Sequence, residues 1–180
     1  MRHIAMLSML VLLSACASSG TAPRRAPSET LRVIGAGGGA VTLTSNTNAS
    51  VSSVPFPVEQ VWRVLPAVYD SLGIPITTLD GAQRIVGNSG MKLRRQLGTV
   101  SLSRYIDCGS TQIGQNADSY EVQLTVMTTV QPDEAGMAAV ATTVEAMAKP
   151  ITFAQNFSRC RSKGVLEKRV ADAVVLRLQR

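Results

Sequence analysis

The fold is decided by residues 120–148, which read YEVQLTVMTTVQPDEAGMAAVATTVEAMA. Apolar and polar side chains alternate from Tyr120 to Val126, and Thr128 continues the same side as Val126, which is the two-residue period of a strand with one buried face. Turn-forming residues follow in PDEAG at 132–136, and a second alternating run occupies 137–148. We therefore predict two long antiparallel strands joined by a hairpin connection.

Amphipathic helices are predicted on both sides of this hairpin in the sequence. Residues 57–72 place apolar side chains at helical spacing, with Pro57 at the first helical position and Gly73 as the C-terminal cap. Pro66 should kink this helix, and Trp62 belongs to its core-facing side. A final helix, capped by Ser162, carries Leu166, Val170, Ala173 and Val174 on its buried side.

Shorter strands complete the pattern. Extended segments are predicted at 50–56, 74–79, 84–87 and 100–108, whereas 88–98 is either a loop or a short helix. The order β-α-β5-α has short connections between consecutive strands, which favours an antiparallel sheet. We predict an α+β domain over residues 51–180, with a single antiparallel sheet and two helices packed on one face.

The first sixteen residues, MRHIAMLSMLVLLSAC, have the three parts of an export signal: a basic start, an apolar run and small residues before a cysteine. The apolar run is shorter than the ~20 residues that cross a bilayer. The last four residues, LSAC, resemble the lipobox of bacterial lipoproteins. The resemblance implies a signal peptide at 1–15 and fatty acyl chains, such as palmitate, on Cys16. An ordinary signal peptide cut nearby would instead leave Cys16 unmodified.

The resemblance to lipoproteins also implies a location in the cell envelope. Ala17 follows the cysteine, which by analogy with enteric lipoproteins favours the outer membrane, facing the periplasm. Two or more acyl chains form a stable anchor, so the chain would contact the membrane through lipidated Cys16. Residues 16–50 are then the lipidated N-terminus and a flexible tether rich in Ala, Ser, Pro and Gly.

Histidine content restricts the chemistry that the mature chain can perform. The only histidine, His3, lies inside the signal peptide. Ser-His-Asp catalysis, Cys-His catalysis and most transition-metal sites need an imidazole. Residues 35–40 fit G-x-G-x-x-G/A without a helix-forming continuation, and we interpret them as a glycine hinge. Residues 89–92 fit S-x-x-K without companion motifs, which we interpret as a coincidence. We therefore predict that the protein is not an enzyme and uses no cofactor or metal.

Two cysteines remain when Cys16 is lipidated. An even number of thiols in an exported chain favours a disulfide, here between Cys108 and Cys160. Such a bond would tie the last helix to the sheet. The alternative is a redox pair, but redox-active cysteines are usually close in sequence, as in C-x-x-C.

The mature chain is basic, because loss of Arg2 leaves 17 Lys and Arg against 12 Asp and Glu, a net charge of +5. The disulfide would bring two basic segments together, which suggests a surface for phosphates, anionic lipids or acidic envelope polymers. Scattered, solvated charges are the alternative, and nucleic acid is not an expected partner in the envelope. The candidate residues for anionic contact are Lys92, Arg94, Arg95, Arg104 and Arg161.

The stretch from Val54 to Gly87, beginning VPFPVEQVW, and the last helix are similar to helix-grip modules. Such modules occur in the lipoprotein C subunit of the outer-membrane β-barrel assembly machinery. The resemblance implies a non-enzymatic interaction domain, present here once instead of twice. Our first hypothesis is an envelope lipoprotein that binds a protein partner or supports an assembly in the outer membrane. The alternative is an envelope module that holds a lipid or another small molecule between helix and sheet.

Overall fold

The computed structural model of the protein describes residues 32–34, 40–42, 49–152 and 154–180. In these residues the chain forms thirteen strands, three helices and one 3-10 turn, Leu102–Arg104. The helices are α1 (Val58–Ser71), α2 (Asn116–Ser119) and α3 (Val165–Leu178). The strands are β1 (Arg32–Ile34), β2 (Ala40–Thr42), β3 (Ser50–Val54), β4 (Thr78–Asp80), β5 (Ile85–Arg94), β6 (Gln96–Leu97), β7 (Val100–Ser101), β8 (Ile106–Asp107), β9 (Ser110–Thr111), β10 (Gly114–Gln115), β11 (Glu121–Pro132), β12 (Ala138–Lys149) and β13 (Ser158–Ser162).

Seven strands form the main sheet, in which every pairing is antiparallel. Its order is β4-β5-β11-β12-β13-β8. One side of β12 pairs with β11 over the whole length of both strands. On its other side β3 pairs with residues 138–142 and β13 with residues 146–148. The predicted mixed α and β content and the antiparallel sheet are therefore confirmed.

The central hairpin has the burial pattern that its sequence predicts. Val122, Leu124 and Val126 of β11 are fully buried, and the residues between them are only partly buried. Their cross-strand partners on β12 are Ala148, Ala146 and Val144, which are also buried. Directly opposite residues point to the same face of a sheet, so one face of the hairpin lines the core. The other face stays partly open to solvent.

Helix α1 ends where the sequence predicted, by a Schellman arrangement. Gly73 has a φ of 71°, a left-handed conformation that glycine adopts without steric cost. Its N–H donates to the carbonyl of Asp70 and that of Ile74 to the carbonyl of Tyr69, both at 2.9 Å. At the other end, the helix begins at Val58, one residue after Pro57, and it continues through Pro66.

A buried polar chain joins α1 to the sheet. The Tyr69 hydroxyl lies 2.8 Å from the hydroxyl oxygen of Thr128 and 3.2 Å from the carbonyl oxygen of Val86. The hydroxyl oxygens of Thr128 and Thr142 are 2.9 Å apart. One donor order satisfies all three contacts, because Thr142 donates to Thr128, Thr128 to Tyr69 and Tyr69 to Val86. Tyr69 and Thr128 have no exposed surface.

Helix α3 buries the predicted residues Leu166, Val170 and Val174, but it begins differently. The residue that caps its N-terminus is Gly164, with a φ of 74°, and not Ser162. The Ser162 hydroxyl instead donates to the buried carboxylate of Glu167 and accepts the N–H of Gly164. Ser162 therefore shapes the turn before the helix.

The predicted strand at 100–108 is wrong. Only β7 and β8 are extended there, and the 3-10 turn separates them. The reason is the spacing of the buried side chains, since Leu102, Tyr105 and Ile106 are all at most 2% exposed. Positions three and four apart lie on one side of a helical turn, whereas a strand needs alternation.

Residues 88–98, which the sequence left open between loop and helix, are mostly strand. Strand β5 continues to Arg94, and its register against β11 shifts between Leu124 and Val126. At this bulge Ser89 and Gly90 together oppose one residue of β11. The extra residue interrupts the period of two, which is why the sequence pattern did not predict a strand.

Two other predicted boundaries also differ. Strand β4 covers Thr78–Asp80 and not 74–79, because Ile74 completes the end of α1 through its backbone N–H. Helix α2 (Asn116–Ser119) lies between the predicted strand at 100–108 and the central hairpin, where no helix was predicted.

The disulfide predicted between Cys108 and Cys160 is present, with an S–S distance of 2.06 Å. The same segments also pair as strands, because Arg161 of β13 lies opposite Asp107 of β8. A loop closed over 52 residues restricts the unfolded chain by about 4 kcal/mol if chain entropy alone is counted. The bond and the strand pair together hold the segment before α3 against residues 106–108.

The signal peptide at 1–15, Cys16 and most of the predicted tether lie outside the described residues. Within 16–50, β1 and β2 pair antiparallel with each other on either side of the glycine-rich segment. Ala40 therefore begins a strand, where a dinucleotide fingerprint would need a helix. Across the described part of the chain, no helix has both the length and the apolar character needed to cross a membrane.

Replacing Tyr69 with phenylalanine tests the buried polar chain. Tyr69→Phe leaves the carbonyl of Val86 and the hydroxyl of Thr128 without one partner each. We expect the free energy of unfolding to fall by about 1–2 kcal/mol, measured by urea denaturation with the disulfide intact. Tyr120→Phe is the matched control, because Tyr120 is only partly buried. A Tyr69→Phe variant as stable as the wild type would contradict the assigned role.

The same variant has a pH-dependent signature. Burial raises the pKa of Tyr69 to about 12, although the hydrogen bond from Thr128 lowers it. In the unfolded chain a tyrosine ionises near pH 10. The contribution of the buried Tyr69 hydroxyl to the free energy of unfolding is therefore complete below about pH 10 and is lost as the pH rises towards about 12. The stability difference between wild type and Tyr69→Phe should therefore stay constant up to about pH 9 and shrink between about pH 10 and about pH 12.

Candidate functional site

The partly exposed face of the main sheet is the candidate interaction surface. We call it the open face; it consists of the side chains of β5, β11, β12 and β13 that point away from the core. At its middle it carries mainly threonine, alanine and methionine, and Met147 is 42% exposed. The members that line its middle are Thr125, Met127, Thr129, Ala139, Ala141, Thr143, Glu145 and Met147, so one carboxylate lies among these side chains.

One end of the open face is charged. Glu121 of β11 lies directly between Arg94 of β5 and Lys149 of β12 in the strand register. Its two carboxylate oxygens lie 3.5 Å from an Arg94 guanidinium nitrogen and 3.4 Å from the Lys149 ammonium nitrogen. This carboxylate therefore neutralises part of the charge of both cations.

A second row crosses four strands beside the first. Lys92 lies opposite Gln123, Gln123 opposite Met147, and Met147 opposite Arg159. The two outer members, Lys92 and Arg159, are exposed. Because directly paired residues share a face, these two cations lie on the same side of the sheet as Arg94 and Lys149.

Arg161 joins this group from β13. Cys160 points into the core, so its neighbours Arg159 and Arg161 point to the open face. Arg161 is paired across the strands with Asp107, an exposed carboxylate. We call the five cations the basic end; they are Lys92, Arg94, Lys149, Arg159 and Arg161.

Electrostatics at Glu121 follow from this placement. Partial burial of the carboxyl raises its pKa, but Lys149, Arg94 and Lys92 lower it more, so the pKa of Glu121 lies below its ordinary value. Lys149 has a further contact, because its ammonium nitrogen lies 4.8 Å from the centre of the Phe157 ring. A cation over an aromatic face is favourably placed. Glu121 and Phe157 thus orient Lys149 at the edge of the open face.

Three of the five predicted anion-contact residues, Lys92, Arg94 and Arg161, are brought to this face. Arg95 and Arg104 lie elsewhere. Arg95 has a φ of 67° in the turn after β5 and lines a cleft of about 410 Å³, to which Arg94, Gln96, Ser101 and Asp118 also contribute. Arg104 ends the 3-10 turn and is exposed.

Lys149 was missed by sequence reasoning, although a signal for it exists. Pro132 pairs with Ala138 beside the hairpin turn, and each step away from the turn adds one pair. Counting outward from the turn places Lys149 opposite Glu121 at the far end of the hairpin. The distant strand β13 offers no such count, so its place beside β12 was not predictable from the turn.

The two basic segments whose proximity is predicted are residues 92–104 and 159–163, and Lys163 of the second contacts the end of the first. The ammonium of Lys163 donates to the carbonyl of Ser103 at 2.6 Å, and the Lys163 N–H donates to that of Tyr105 at 2.9 Å. The 3-10 turn therefore lies against the segment that precedes α3. Within residues 49–152 and 154–180, no three His, Cys, Asp or Glu side chains are grouped so that they could hold a metal ion.

Comparison with known proteins adds no relative. No protein-family model matches the chain, and no curated protein sequence matches it significantly. The functional argument therefore depends on the residues and on their geometry.

Charge substitutions test whether the basic end contacts anions. Glu121→Gln frees Arg94 and Lys149, and we expect about fivefold tighter binding to phosphatidylcholine–phosphatidylglycerol vesicles at low salt. Arg94→Gln should weaken binding by about the same factor. Co-sedimentation of the full chain carrying Cys16→Ala measures both, because acyl chains on Cys16 would otherwise hold every variant on the vesicles.

Glu134→Gln is the matched control, because it makes the same change in net charge in the turn at the opposite end of the hairpin. Equal effects of Glu121→Gln and Glu134→Gln would show that only net charge matters, and that the basic end is not a contact surface.

Proposed function

We propose that the protein is a lipid-anchored lipoprotein of the cell envelope whose α+β domain is a non-enzymatic interaction module. Its open face is the contact surface for an envelope protein partner. The observation that carries the proposal is the two-sided hairpin. One side of β11 and β12 is buried in the core, whereas the other presents small and flexible side chains beside a basic end.

A helix-grip arrangement of the helices is part of the proposal. Helices α1 and α3 contact each other, and both contact β12. Tyr69 reaches from α1 to Thr128 on the core side of β11. These contacts support the placement of both helices on the core side, which would leave the open face for a partner.

The anchor is proposed from the sequence of the N-terminus. An export signal at 1–15 ends in LSAC, and the segment that follows is rich in Ser, Ala, Pro and Gly. Acyl chains on Cys16 would hold the domain near one leaflet, which we propose to be the periplasmic face of the outer membrane. The basic end would then meet acidic surfaces that are themselves fixed at this membrane.

The layer between α1 and the sheet weighs against the alternative of a lipid or small molecule held there. Leu65 and Tyr69 of α1 and Leu124 and Val126 of β11 have no exposed surface. Side chains packed to this degree fill the space that a bound amphiphile would need. An interaction at the open face requires no such space.

Replacing the predicted lipidated cysteine tests the anchor. We expect Cys16→Ala to abolish incorporation of labelled palmitate and to move the protein from the membrane fraction to the soluble fraction, because no acyl chain remains. Both readouts use the full chain in its own cells, and Ser18→Ala is the control. A Cys16→Ala variant that still takes up palmitate and sediments with membranes would refute the anchor.

Photocrosslinking tests the interaction surface. A photoreactive phenylalanine at Met147, on the open face, should form a discrete adduct with a protein partner in native membranes. The same group at Ile113, which is 92% exposed in the turn between β9 and β10, is the matched control and should not. The adduct should weaken by about fivefold when Arg94→Gln is added, because the basic end borders Met147. Equal adducts at both positions, or none at Met147, would contradict the proposal.

A further inference from the structure

Strand β3 has one edge with which no other described residue pairs. Among the described residues it pairs only with β12. The N–H of Ala138 donates to the carbonyl of Phe56 at 2.9 Å, so Ala138 directs its backbone groups towards the β3 side of β12. Every second residue of a strand directs its backbone the same way, and Val140 therefore faces β3 as well.

The register then assigns the free backbone groups. Ser52 lies directly opposite Val140, and opposed residues in an antiparallel ladder exchange both hydrogen bonds or neither. Ser52 is therefore bonded to β12. Its neighbours Val51 and Ser53 direct their N–H and C=O groups away from the sheet, which leaves two donors and two acceptors for another strand.

The composition of β3 leaves this edge unprotected. Natural edge strands commonly carry lysine or proline, which block pairing with a further strand. The sequence of β3, SVSSV, contains no charged residue and no proline. Val51 is 59% exposed. The two exposed residues of this uncharged strand, Val51 and Ser53, thus present a pairing edge that no other described residue covers.

A cleft of about 440 Å³ lies between β3 and α3; Ser53 of the pairing edge lines it, whereas Val51 lies beside it. The residues of α3 that line the cleft follow one another at helical spacing. Ala171 among them is small, and so is Gly164, which caps the helix. Lys168 and Asp172 form an ion pair with each other at 2.7 Å, so together they add no net charge to the wall. The lining residues are Ser50, Ser52, Ser53, Val54, Gly164, Lys168, Ala171, Asp172 and Val175.

We propose that this cleft binds an extended, uncharged peptide segment of a partner protein, which adds to β3 as a further strand. The free backbone groups of Val51 and Ser53 select a strand, because only another extended backbone presents donors and acceptors in the matching order. Alternate side chains of the peptide would face Ser52 and Ala171, so small or β-branched residues fit. The inference rests on the proposed interaction module and names a second mode of contact for it.

The probe for this site is a random peptide library displayed on phage and selected on the full chain in detergent. Selected peptides should be uncharged and rich in β-branched residues at alternate positions. A synthetic copy should slow amide exchange at Val51 and Ser53 by about tenfold or more. Methylation of the peptide nitrogens that face β3 should weaken binding by about tenfold or more, because each removes a ladder hydrogen bond.

Variants of Val51 test the edge from the protein side. Val51→Pro removes an N–H that is not used inside the domain, and it should reduce peptide binding by about tenfold while the circular dichroism spectrum is kept. Val51→Thr, which keeps the N–H and the β-branched shape, is the matched control. If Val51→Pro does not fold, the methylated peptides still decide the question.

Three results would overturn the inference. They are the absence of any enriched peptide, binding that neither methylation nor Val51→Pro weakens, and slow exchange at Val51 and Ser53 without peptide. Slow exchange would show that this chain or a second copy already pairs with the edge, and sedimentation would tell these two apart. If no peptide binds at β3, a photoreactive group at Met147 should still form its adduct. The proposed function is therefore tested separately, by the crosslinking experiment.

Discussion

The register between β11 and β12 is the constraint on which the rest of the structure depends. Pairing runs without a break from Pro132 opposite Ala138 to Glu121 opposite Lys149. A slip of one residue would turn Val122, Leu124 and Val126 to solvent and their polar neighbours to the core. Helix packing through Tyr69 and the rows of the open face both follow from this one alignment, since each needs alternate residues on a known side.

The same alignment separates stability from contact. On the core side, apolar side chains and the hydroxyl chain from Tyr69 to Thr142 are buried and stabilise the fold. The side chains of the open face do not pack against the core. Charges collect at one end there, because β5, β11, β12 and β13 each contribute residues to adjacent rows. Glu121 limits the positive charge of that end and orients two of its cations. The edge of β3 lies on the far side of β12 from β11, so strand addition there would not disturb the central register.

Much of the fold was predictable, and the failures share a physical cause. Alternation predicted β11 and β12, and helical spacing with a terminal glycine predicted α1 to its last turn. Prediction failed at 100–108, where Leu102, Tyr105 and Ile106 pack as a helical turn, and at 88–98, where a bulge breaks the period of β5. A local pattern of apolar residues reveals a helix or strand only where its period is regular. Turns and bulges break that period, and they are imposed by the packing around them.

The sequence by itself determined the periodicity of the long strands and main helices, the pairing of Cys108 with Cys160 and the absence of histidine after His3, because these depend on local order or on counting. It also carries the export signal and the lipobox resemblance, which stay predictions. Only the tertiary structure decided that β3 and β13 share one side of β12, that Lys92, Arg94 and Arg161 meet Lys149 on one face, and that Arg95 and Arg104 do not. Those neighbours are far apart in the chain, and the packing of the whole core, not any local pattern, brings them together.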